Sequence, residues 1–184
     1  MSAGAASRVL RFPGRLVVGP TDLTDPYPFG GVEVGRTRTV VLQSLGGNFR
    51  VMAEGLGEAT NVLESEHHWV FSCFLRGWDD DAVEQLFGDN FTLGTASRHA
   101  TVNVPGAAKP GASALPRAKV ILYVPDDVVH APAVLIYRGV PDWSEGAELA
   151  FQRREELGLP LAVECVRDTS DRILSIGRLV DLTL

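Results

Sequence analysis

What most limits the fold of this 184-residue chain is a succession of short β-rich runs, each closed by a turn-forming cluster. In the last third, KVILYV (Lys119 to Val124), AVLIYRGV (Ala133 to Val140), AELAFQRRE (Ala147 to Glu155), LPLAVECVRD (Leu159 to Asp168) and RILSIGRLVDLTL (Arg172 to Leu184) are separated by PDD, PDWSEG and DTSD. A meander of short strands with turn punctuation folds as an antiparallel β-sandwich or barrel. FQRREELG also fits a helix.

The first part reads the same way. RVLRFPGRLVV (Arg8 to Val18) is extended around Pro13-Gly14, and Val32 to Leu42 is β-rich, with Gly35, Thr37, Thr39 and Val41 on one parity. NFRVMAEGL follows Gly46-Gly47, a spacing that predicts a hairpin with the Val32–Leu42 strand. HHWVFSCFLRGW is the clearest strand: Trp69, Phe71, Cys73 and Leu75 share one face, while Val70 and Phe74 keep the other partly apolar, the pattern of a strand covered on both sides.

Directly after it, DDDAVEQLFG (Asp79 to Gly88) has a helix grammar. An aspartate caps the start, Asp81 and Glu84 stand at capping-box spacing, Ala82, Val83, Leu86 and Phe87 form one stripe, and Gly88 stops it. The expectation is a mainly β domain spanning 1–184, an antiparallel sandwich or barrel with one short α-helix at about 80–87, an N-terminal arm at 1–18 and a long extended loop at about 89–118. That loop is poor in large apolar residues and rich in Gly, Ala, Ser and Pro.

Composition removes several function classes. The formal net charge is −6, with 15 arginines and only Lys109 and Lys119 as lysines, a balance opposed to gripping nucleic acid through clustered cations. No apolar run approaches a membrane span, and the N-terminus lacks the apolar core of a secretory signal, which predicts a soluble protein made inside a cell. Cys73 and Cys165 sit in apolar runs and read as buried thiols.

TDPYPFGGVEVGRTRTVVL (Thr24 to Leu42) carries the most suggestive glycines. No helix follows Gly30-Gly31-x-x-x-Gly35 and no Lys-Ser/Thr pair closes it, so a turn into a strand outweighs a phosphate cradle. Leu23, Tyr27 and Phe29 are large enough to anchor the Gly19 to Gly31 loop. Adjacent His67 and His68 point to opposite faces of a strand and lack a third ligand at metal spacing. Asp79 to Asp81 is explained by helix capping, PDDVVH lacks calcium-loop spacing, and no serine lies in a nucleophile motif. No catalytic residue, cofactor site or metal site is predicted.

Two stretches carry a resemblance: ATNVLESEHHWVFSCFLRGWDDDAVEQLF (Ala59 to Phe87), a strand followed by a short helix, and AELAFQRREELGLPLAVECVRDTSDRILSIGRL (Ala147 to Leu179), a set of closing strands, together about a third of the chain. The pattern resembles bacteriophage tail tube proteins. The resemblance implies a non-enzymatic virion protein, made in the host bacterial cytoplasm, whose barrel is flanked by a helix and closes into stacked hexameric rings. It further implies that a long loop or hairpin reaches the neighbouring ring, here 89–118. Partners would be the chain itself, other tail proteins and DNA passing through the lumen without specific binding. Tyr27, Phe29, Arg36, Arg38, Lys109 and Arg117 are the candidate interface residues. The alternatives are another tail component (distal tail, tail terminator or adaptor protein) and a small ligand-binding or enzymatic barrel using Glu64, Glu66, His67 and His68.

Overall fold

The computed structural model describes residues 7–10, 13–45, 48–52, 59–64, 68–77, 80–87, 91–93, 100–102, 118–143 and 158–184. It is a mainly β protein built on a closed antiparallel barrel. The strands are β1 (Ser7–Leu10), β2 (Gly14–Val18), β3 (Val32–Leu45), β4 (Asn48–Met52), β5 (Ala59–Glu64), β6 (His68–Arg76), β7 (Phe91–Leu93), β8 (Ala100–Val102), β9 (Lys119–Pro125), β10 (Ala133–Trp143), β11 (Leu159–Cys165) and β12 (Leu174–Gly177). The helix α1 is Asp80–Phe87, and a 3-10 turn spans Leu179–Asp181.

The barrel order is β3-β2-β9-β10-β11-β6, and the β3–β6 ladder closes it. Each wall strand alternates a side chain inward and one outward. Leu16, Val18, Val34, Phe71, Leu75, Ile121, Tyr123, Val134, Ile136, Leu161 and Val163 fill the interior, joined by Ala82, Leu86 and Phe87 of α1. Burying each large apolar side chain stabilises the fold by about 1.5–3 kcal/mol, so this interior is the principal source of cohesion.

A second, outer cluster explains why KVILYV is apolar without alternation. Val17, Leu122, Val124, Ala133 and Leu135 face outward from β2, β9 and β10, and Phe29 and Leu182 lie over them. These strands are therefore buried on both faces, as continuous hydrophobic runs require. One half of the barrel wall is thus covered by the Gly19–Gly31 loop and by the C-terminal segment.

Several expectations change. The 1–18 stretch, expected as an arm, supplies β1, paired along Val40–Gln43 of β3, and β2, a wall strand between β3 and β9. The β3–β4 hairpin is not formed: β3 pairs with β6 as far as Leu45↔His68, and the ladder resumes as Asn48↔Glu64 between β4 and β5. The single parity expected from Gly35 to Val41 is broken by irregularities at Glu33–Gly35 and between Arg38 and Val41, where Thr39 adopts a φ of 53°. Hence Gly35 and Thr37 are buried as that parity requires, but beyond the break Val40 and Leu42 are buried in place of Thr39 and Val41. Within the 89–118 loop, Phe91–Leu93 pairs with Ala100–Val102 as a short hairpin. The expected strand AELAFQRRE and the alternative helix FQRREELG lie outside the described residues.

Candidate assembly surfaces

Gly30 and Gly31 of the Gly19–Gly31 loop serve close packing. Amides that a phosphate would need are already committed: Phe29 N donates to the Pro26 carbonyl at 2.8 Å, Gly31 N to Pro28 at 3.0 Å, and Thr21 N to Phe29 at 2.9 Å. Gly30 has a φ of 71°, and a Cβ on Gly31 would sit 2.7 Å from the Val18 carbonyl oxygen. Gly31 must be small because the loop lies directly against the end of β2.

Two candidate interface residues lie in this loop and meet different fates. Phe29 is 7% exposed and packs in the outer cluster, so within the chain it serves the core and little of its ring is open to a neighbouring subunit. Tyr27 is 37% exposed, stacked edge-on against Phe29 with ring centroids 5.5 Å apart. The Arg15 guanidinium lies 5.3 Å from the Tyr27 centroid and 3.5 Å from Glu33. Burial, then a hydrogen bond to Glu33, pushes the Tyr27 hydroxyl above its ordinary range.

Arg36 and Arg38 project outward from β3, both exposed. Register sets Arg36 across from Arg76 and Arg38 across from Phe74 of β6, and Phe74 across from Pro160 of β11. Residues directly opposite share a face. Arg76 has a partner within the chain, whereas Arg36 and Arg38 make no ion pair among the described residues. Phe74 is 46% exposed, which corrects the expectation that this strand is covered on both sides. Its signal was already in HWVFSCFLR, where it shares parity with Ser72 and Arg76. Lys109 and Arg117 lie outside the described residues.

Apart from the barrel sheet, β4 and β5 form a two-stranded sheet and pair only with each other among the described residues. The chain matches no family model and no curated protein.

Of the four residues of the alternative ligand site, only the His68 side chain is among the described ones. His68 Nε2 lies 2.9 Å from Glu164 Oε1, an exposed cross-strand pair. Glu64 is in β5, its side chain outside the described set, as are Glu66 and His67. Among the described residues, no group of three or more His, Cys, Asp or Glu side chains could hold a metal ion, and no helix is long and apolar enough to cross a membrane. Cys73 and Cys165 are free and buried, and desolvation pushes each thiol up to about 12.

Proposed function

We propose that this chain is a structural subunit of a bacteriophage tail, a tail tube protein whose copies close into stacked rings that conduct DNA during ejection. The observation that carries the reading is the two-stranded arm formed by Asn48–Met52 and Ala59–Glu64. A lone two-stranded ribbon is marginal in water and gains stability when it docks on another surface. A two-stranded arm apart from the barrel sheet offers such a surface to an adjacent ring.

In this reading β4–β5 joins the 89–118 loop as a connector between rings. The resemblance of Ala59 to Phe87 to the strand and helix of tail tube proteins falls on the same region. The barrel interior is occupied by Phe71, Tyr123 and the apolar face of α1, which favours a structural subunit over a ligand-binding barrel.

Negative-stain micrographs of purified protein test the reading. Rings or tubes with a central hole are expected, together with detection of the chain in isolated phage particles. Deleting the arm should leave rings that no longer stack. A protein that stays monomeric at high concentration and is absent from particles overturns it.

A further inference from the structure

The two halves of the barrel wall differ in cover, and on the covered half the cations are already engaged: Arg15 lies over Tyr27 and pairs with Glu33, and Arg172 and Arg178 of the C-terminal segment each pair with an aspartate. Over β2, β9 and β10, the covering Gly19–Gly31 loop carries Asp22 and Asp25, both exposed, and no Lys, Arg or His occurs anywhere from Gly19 to Gly35. On the other half, the outer faces of β3 and β6 present Arg36, Arg38 and Phe74. The loop's carboxylates have no basic partner of their own: Asp22 is satisfied locally, accepting from the Thr24 amide at 2.8 Å and the Thr24 hydroxyl at 2.7 Å.

The geometry points to a head-to-tail contact in which the Arg36–Arg38–Phe74 face of one copy receives the acidic Asp22–Asp25 loop of a second copy. The occupant is identified by complementarity. The basic face needs an acidic partner, and the chain itself supplies one on a different sector of the same wall. Phe74 provides the apolar anchor that charge alone lacks, and the half-exposed Tyr27 ring in the loop supplies an aromatic counterpart. Arginine and aromatic side chains are the types that dominate interface energetics.

Because the two surfaces are different patches, the contact is heterologous. Such a contact repeats from copy to copy, and generates a closed ring or an open filament according to the rotation it imposes. The inference rests on the assembly reading only in requiring self-association, and it names the surfaces that reading leaves open.

A charge-swap experiment tests it, with sedimentation and negative stain as readouts and thermal unfolding as a check on folding. R36E/R38E should weaken self-association by about tenfold or more, and so should D22N/D25K, where Asn keeps the local turn at Asp22. Mixing the two variants should restore assembly, because each then meets the complementary charge on the other. Phe74→Ala, an exposed position, should weaken assembly while leaving the unfolding temperature near that of the parent. If the parent assembles and the reversed variants assemble equally well, or if the mixture fails to recover, the contact is overturned and the assembly reading stands. A parent that remains monomeric while its Arg36–Arg38 face retains duplex DNA in a binding assay overturns both, in favour of a nucleic-acid surface.

Discussion

The hydroxyl of Tyr137 lies 2.8 Å from Ser175 Oγ and donates to the Thr183 carbonyl at 3.1 Å, so one side chain of β10 ties both β12 and the C-terminal segment to the barrel. The Arg172 guanidinium covers its ring at 3.9 Å from the centroid and is itself held by Asp168, with NH2 to Oδ2 at 2.9 Å. This fixes Leu182 over the outer cluster.

Tyr137→Phe keeps the stack under Arg172 and removes the hydrogen bonds. It should cost about 1 kcal/mol, the net worth of a typical buried or half-buried hydrogen bond. Tyr137→Ala should cost more, since the cation–π contact and the packing also go. Urea unfolding curves measure both; equal losses would mean that the ring contributes nothing beyond its hydroxyl.

Phe29→Ala should destabilise the monomer by about 3–5 kcal/mol, as truncating a buried aromatic does. Tyr27→Ala, two residues away and half-exposed, should cost about 1 kcal/mol, from one edge-on ring contact and one cation–π contact. Thermal unfolding of the two variants distinguishes them, and a small effect for Phe29→Ala would return that ring to the surface.

Those two residues also mark how far the sequence is legible. Strand and turn chemistry made the barrel strands readable, since Trp69, Phe71, Cys73 and Leu75 line the inner side as their parity requires. Helix α1 was readable because capping and periodicity agree. Parity failed in β3, because the irregularities around Gly35 and Thr39 depend on what β2 and β6 do beside it. Pairing failed after Leu45, where Gly46-Gly47 resembles a turn but the partner of β4 is β5, set by a distant ladder. Which aromatic of the Tyr27–Phe29 pair is buried depends on the outer faces of β9 and β10, and no local pattern carries that. Arg36 and Arg38 were readable as outward residues; the exposed Phe74 opposite Arg38 emerged only with the β3–β6 register.

Thr37→Val should raise stability by about 1 kcal/mol. Thr37 is 3% exposed, and its hydroxyl has no hydrogen-bond partner among the described residues. Burying an unsatisfied hydroxyl costs about 1–3 kcal/mol, and valine replaces it with a methyl group of nearly the same shape. The expected result is a higher urea midpoint with an unchanged m-value. A lower midpoint would reveal a partner for that hydroxyl.

The buried thiols set an alkaline limit on the fold. Desolvation pushes Cys73 and Cys165 from an ordinary 9.0 up to about 12, and Tyr123 from 10.0 up to about 12. Each group is neutral in the fold and ionises more readily in the unfolded chain, so its contribution is complete below the unfolded pKa. Stability should therefore hold up to about pH 9 and fall progressively towards pH 12. Because the thiolate is the nucleophile, both cysteines should resist a thiol-reactive disulfide reagent at pH 8 in the native protein and react fully in denaturant. Rapid native reaction at either position would show that the barrel opens there, and a Cys73→Ser, Cys165→Ser comparison would assign it to β6 or β11.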